Sequence, residues 1–272
     1  MAEAFKFIPK IWAGAILNAL QKKTVFESLC NAEYVGEVKK GNAVNIATID
    51  NPSVKDYTQG GEIEYDEITG SEQQLKIDQQ KYFAFKVDDI DRTQSNIDLL
   101  QAATKGTGYE LADALDLYLA TLIKTDGTLK KSITTDSLLK AIADVVEAMD
   151  NAKSPDDGRY LVIPPSMANK LTLELVGKLT SNNSIVSSGY IGSVFGLNIY
   201  KSINVAKPLC GSRSAVTLAK QIDSLESLRL QGTFATGVRG LHVYGAKVTR
   251  PEICGEISIT LSSTTNGGGS GV

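Results

Sequence analysis

The chain has 272 residues, 42% apolar and 22% charged, which suits one large or two small globular domains and excludes disorder of the whole chain. Its net charge is −3 with Lys and Arg scattered, so it lacks the basic stripe of a sequence-specific nucleic-acid binder. No run of about 20 apolar residues is available for a membrane-spanning helix, and Pro9, Lys10 and Asn18 break up the apolar stretch at 8–20, unlike a signal peptide.

Residues 1–33 are rich in apolar side chains, among them Phe5, Phe7, Trp12, Phe26 and Leu29. They read either as a terminal helix packed on its own core, the favoured reading from pattern alone, or as an arm that buries its apolar side on a neighbour. Residues 34–90 read as a long β-ribbon. Val44, Ile46 and Thr48 alternate, as do Glu62-Ile63-Glu64-Tyr65-Asp66, Leu75 with Ile77, and Phe83, Phe85 and Val87. The ribbon is polar for its length, and an isolated hairpin in water is marginal.

A helix is predicted over 93–124, with Thr93 or Ser95 as cap and Ile97, Leu100, Leu111, Leu115, Leu119 and Leu122 at helical spacing. It would span about 45 Å at about 1.5 Å per residue, with a bend expected at Gly106 and Gly108. A second amphipathic helix is predicted over 134–153. Tyr160-Leu161-Val162-Ile163 is a buried strand stopped by Pro164-Pro165, and Ser166 is expected to cap a helix through Leu175.

Residues 177–193, rich in Gly, Ser and Asn, read as a loop, followed by strands at Phe195 to Tyr200 and Ser214 to Lys220. Arg239 to Ile253 read as one long strand or two paired ones, continued by Ser258 to Leu261. Residues 262–272 hold only Ser, Thr, Gly, Asn and Val and read as a tail or linker. Strands and helices alternate without a repeated βα unit, so the fold class expected is α+β.

The chemistry is sparse. The phosphate-loop, dinucleotide, zinc-protease and nucleophile-elbow signatures do not occur. The single histidine, His242, alternates with Leu241 and Val243 in a strand and reads as a structural side chain. Cys30, Cys210 and Cys254 lie far apart in sequence and read as buried, reduced thiols. No catalytic residue, metal ligand or cofactor is assigned. Asp88, Asp89 and Asp91 read as the acidic start of a helix, and Glu62, Glu64, Asp66 and Glu67 as a ribbon face that is solvated or meets basic groups on a neighbour.

Three segments carry a resemblance. Phe83-Ala84-Phe85-Lys86-Val87-Asp88-Asp89-Ile90-Asp91, leading into Gln94-Ser95-Asn96, resembles the ribbon-to-spine-helix junction of tailed-bacteriophage major capsid proteins. Arg159-Tyr160-Leu161-Val162-Ile163-Pro164-Pro165 resembles the strand before a helix in their axial domain. Gly240 through Val248, with Arg250-Pro251-Glu252, is similar to their closing strands.

That resemblance implies the Hong Kong 97-like capsid fold. Residues 1–33 would be the N-terminal arm and 34–90 the extended loop lying over an adjacent subunit. Residues 91–133 and 231–261 would form the peripheral domain with its spine helix, and 134–230 the axial domain. It further implies self-assembly into pentamers and hexamers, a separate scaffolding protein or none, a portal, weak non-specific contact with packaged double-stranded DNA, and no membrane. The subunit would be made in the host bacterial cytoplasm and end in the virion capsid. Subunit-contact residues expected on this basis are Phe5, Phe7, Trp12, Tyr57, Glu62, Glu64, Asp66, Asn182 and Tyr190. The alternatives are an encapsulin-type compartment shell and an α+β enzyme with an unrecognised site.

Overall fold

The computed structural model describes residues 24–32, 43–49, 55–56, 65, 70–88, 99–176 and 190–262. The caps expected at Thr93 and Ser95, the strand at 62–66 apart from Tyr65, and the tail beyond Ser262 lie outside the described residues.

Helix α1 (Leu99–Asp126) is the longest helix described, and it is continuous through Gly106 and Gly108. Its buried stripe of Leu111, Leu115, Leu119 and Ile123 recurs every four residues. Leu115, Leu119 and Ile123 pack with Phe26, Leu29 and Cys30, which sit in and beside a short 3-10 turn (Phe26–Leu29). This end of the 1–33 segment is therefore buried on its own chain rather than on a neighbour.

The ribbon divides. Strands β1 (Ala43–Ile49) and β2 (Gly70–Lys76) pair antiparallel, with Ala43 opposite Lys76 and Ile49 opposite Gly70. Strand β3 (Gln79–Asp88), read from sequence as more ribbon, instead pairs with β10 (Ala235–Val248), whose other edge carries β9 (Val216–Arg229). The physical reason lies in its faces. Phe83 packs towards Leu111 and Ala112 of α1, so β3 has its own core to cover, distinct from the cluster under β1 and β2.

At the ribbon's root, Ile46, Leu75 and Ile77 are buried against Ala219 of β9 and Val243 of β10. The chain can pass from β2 to β3 across β10 only because position 245 lacks a side chain. A Cβ on Gly245 would lie 2.2 Å from the Lys76 carbonyl oxygen and 2.7 Å from Ile77 Cα.

The largest sheet described has six strands in the order β4-β11-β8-β5-β7-β6. They are β4 (Lys131–Thr135), β5 (Arg159–Ile163), β6 (Tyr190–Val194), β7 (Leu197–Lys201), β8 (Leu209–Ser212) and β11 (Gly255–Leu261). Helices α2 (Leu138–Asn151) and α3 (Pro165–Val176) share a core with one face of this sheet. The other face meets α1 and the 3-10 turn.

Strand β5 shows why its sequence reads as a continuous apolar run. Tyr160 and Val162 enter one core, while Leu161 and Ile163 enter the other. Arg159 completes a fully buried strand.

Several boundaries differ from expectation. The helix predicted from 134 starts at Leu138, because β4 pairs in parallel with β11 and buries Ile133 and Thr135. Glu174 of α3 takes over the capping of α2: its carboxylate accepts the Leu138 N–H at 3.0 Å and the Ser137 hydroxyl. Helix α3 begins at Pro165, with the Pro164 carbonyl accepting from the Met167 and Ala168 N–H groups, so Ser166 is not its cap.

Residues 190–193, read as loop, belong to β6, and Phe195-Gly196, read as strand, form the turn to β7. Residues 235–248 are one strand, and 258–261 lie in the six-stranded sheet. Strand β8 was not foreseen.

Candidate subunit-contact surfaces

The described end of the N-terminal segment, residues 24–32, is anchored on the core. Asp116 of α1 accepts the Val25 N–H at 2.9 Å and the Phe26 N–H at 3.2 Å. Glu27 forms an ion pair with Lys220 of β9 and accepts the Thr24 hydroxyl. Asn31 then joins the outer edge of β9, donating to the Val216 carbonyl at 2.8 Å and accepting from the Leu218 N–H at 2.9 Å. Burial pushes the Asp116 carboxyl up to about 6, against the lowering effect of its two backbone donors.

Several described ribbon residues face away from the chain's own core. Gly70, Gln74 and Lys76 are exposed, and Tyr65 is 90% exposed. The far half of the three-stranded sheet is also uncovered on one face. Registry puts Tyr82, Ala84 and Lys86 of β3 beside Leu241, Arg239 and Gly237 of β10, with Glu226 and Leu228 of β9 next to these.

Tyr82 is 81% exposed, Phe234 at the β9–β10 turn is 77% exposed, and Leu228 and Leu230 are partly exposed. A groove of about 300 Å³ lies among Ala84, Phe85, Leu228, Leu230 and Val238. The Arg239 guanidinium bonds Glu226 across the strands at 2.5 and 2.9 Å. A half-exposed pair of this kind adds little to stability, about 0–1 kcal/mol. Exposed aromatics around an apolar groove are the make-up of a protein-contact surface.

The titratable groups of the interior fit a structural role. The rings of His242 and Tyr244 lie 5.0 Å apart, and neither His242 nitrogen has a hydrogen-bond partner. Burial, with help from Lys220 and against Glu27, lowers its pKa to about 4, so the ring is neutral near pH 7. Cys30, Cys210 and Cys254 are free and buried. The fold gathers them around Tyr160, whose phenol is raised well above its ordinary value by burial and then by the three thiols. Burial pushes the Cys210 and Cys254 thiols up to about 12 and Cys30 higher still. Among the described residues no three His, Cys, Asp or Glu side chains are grouped to hold a metal ion.

Of the contact residues expected from sequence, Phe5, Phe7, Trp12, Tyr57, Glu62, Glu64, Asp66 and Asn182 lie outside the described residues. Tyr190 opens β6, its backbone opposite Tyr200. Sequence reading missed the outer face of the β3–β10–β9 sheet. Alternation at Tyr82, Ala84 and Lys86 could have signalled a second face, but it marks that face only as wet.

Comparison with known proteins agrees with this architecture. Residues 72–253 match the family model described as phage capsid protein. A structure from Mycobacterium phage Che8 is similar at 33% identity and a TM-score of 0.69, covering 86% of this chain and 91% of that one. The capsid structure of cyanophage P-SCSP1u is similar in fold at 19% identity and a TM-score of 0.70, with 89% of each chain covered. A virus-like particle from Pyrococcus furiosus shares the fold at 14% identity and a TM-score of 0.60, over 90% of this chain and 96% of that one. No curated protein matches. The resemblance to tailed-phage major capsid proteins holds, and the chain belongs to the phage capsid protein family, as a structural capsid subunit with the α+β Hong Kong 97-like fold.

Proposed function

We propose that this subunit self-assembles into the pentamers and hexamers of an icosahedral phage head that encloses double-stranded DNA. The observation that carries the reading is a set of exposed surfaces: a ribbon rooted on β9 and β10, and the outer face of the β3–β10–β9 sheet, where exposed Tyr82, Leu228 and Phe234 mix with charged side chains. Such surfaces are poor choices for a monomer and reasonable for a chain whose neighbours bury them.

In this reading residues 1–33 are an arm anchored at 24–32, and 34–90 supply the extended loop over an adjacent subunit. The peripheral domain takes 91–133 and 231–261, and the axial domain 134–230, with β9 joining the peripheral sheet and β11 the axial sheet by their pairing. Phe5, Phe7, Trp12, Tyr57, Glu62, Glu64, Asp66, Asn182 and Tyr190 are proposed contact positions. A scaffold and portal assist assembly in the host cytoplasm, and the net charge of −3 favours only weak contact with packaged DNA.

Electron microscopy of the purified protein, with and without scaffold, tests this reading. Closed shells or capsomer rings are expected. Deleting residues 50–70 should leave a soluble subunit that forms no shells, and normal assembly of that variant would remove the ribbon from the mechanism. Nucleic acid inside the native particles supports a phage head, whereas an enclosed enzyme supports the compartment-shell alternative.

A further inference from the structure

We infer that the tip of the β6–β7 hairpin, led by Phe195, docks on a second copy of this chain. The inference rests on the capsid-subunit reading above and adds a contact at the opposite end of β6 from residues 177–189.

Strands β6 and β7 are joined by Phe195 and Gly196 alone, with Val194 facing Leu197. Their φ angles are 52° and 75°. Two positive values suit the type I′ turn that fits the twist of a hairpin, and Asn, Asp or Gly take such positions readily. A bulky residue there is an outlier. The turn itself therefore gives no reason for phenylalanine. Nor does the core: the ring is 61% exposed and belongs to none of the buried clusters.

The surface beside it is built to be rigid. Tyr160 pairs in parallel with Asn198, so the start of β5 lies beside the start of β7 at this end of the sheet. The loop before Gly158 is held by the buried guanidinium of Arg159. It donates to Asp150 at 2.6 Å, to the Ser154 and Pro155 carbonyls at 2.6 and 2.8 Å, and pairs with Asp156 at 2.8 Å. A surface already ordered loses little freedom on docking. A strained, exposed aromatic in a rigid frame has the composition of an interface anchor. The partner expected for a capsid chain is another copy, in the head-to-tail contact that closes rings and shells.

The three native thiols are buried, so Phe195→Cys supplies the reactive one. A maleimide should label dissociated subunits quickly and assembled shells about tenfold more slowly or worse. Phe195→Gly should keep the turn, relieve the positive-φ conformation, leave the subunit at least as stable as wild type, and assemble poorly. A folded Phe195→Cys subunit that fails to assemble also supports the contact.

Equal labelling of subunits and shells, normal assembly of Phe195→Gly, or protection that appears only with bound scaffold would overturn it. Wild-type protein is imaged in parallel. If wild type forms no shells, the capsid-subunit reading fails and takes this contact with it. If wild type forms shells in which the introduced thiol stays reactive, this contact alone fails.

Discussion

Gly245→Ala tests how the ribbon is mounted. The added Cβ would sit 2.2 Å from the Lys76 carbonyl oxygen and 2.7 Å from Ile77 Cα, both backbone atoms that cannot rotate away. Restoring ordinary contact needs a shift of about 1 Å, and overpacking of this kind costs about 1–3 kcal/mol. The upper bound is detachment of the ribbon root. That would expose Ile46, Leu75 and Ile77, now 6%, 0% and 5% exposed, at about 1.5–3 kcal/mol each.

We therefore expect a loss of at least about 1 kcal/mol in urea unfolding of dissociated subunits, with faster proteolysis between β1 and β2. Gly106→Ala is the matched control. Nothing lies within 4 Å of its Cβ position, and it stands in a helix interior, so the same change should gain up to about 1 kcal/mol. A Gly245→Ala subunit within about 0.5 kcal/mol of wild type would refute the argument.

Two further expectations follow from buried charge. Asp116 has its pKa raised from 3.8 to about 6, so between those values the folded chain binds a proton that the unfolded chain lacks. Its contribution is most favourable below pH 3.8 and is lost as pH rises through about 6, and His242, lowered to about 4, acts in the opposite sense. Asp116→Asn should therefore be more stable relative to wild type at pH 7 than at pH 4, by up to about 3 kcal/mol, and a pH-independent difference in urea titrations would contradict this. Arg159→Lys replaces a fork by a point charge and should cost about 2 kcal/mol, with faster amide exchange in residues 152–158 as the diagnostic and unchanged exchange as the refutation.

Legibility followed period and burial. The stripe on α1, the amphipathic α2 and the apolar β5 were readable because each repeats on its own element. Strand β8 was not: Leu209, Cys210, Gly211 and Ser212 are weak strand formers that become a strand because β5 and β11 flank them. Strand β4 was missed, its last two residues counted with the next helix, because its five residues show only two buried positions. The β6–β7 turn was misread because phenylalanine usually signals a strand, and only the backbone reveals its positive φ. Contact surfaces were the least legible, since an exposed apolar face and a wet strand face alternate in the same way.

The sequence by itself determined the α+β class, the long helix, the ribbon and the family resemblance, because these depend on local period and on ordered segments along one chain. Only the tertiary structure decided that β3 leaves the ribbon for β10, that β9 and β11 join different sheets, and that three distant thiols surround Tyr160. The reason is physical. Periodicity states which face of an element must be buried, whereas the element that buries it is chosen by long-range packing, through close approaches such as that of Lys76 over Gly245.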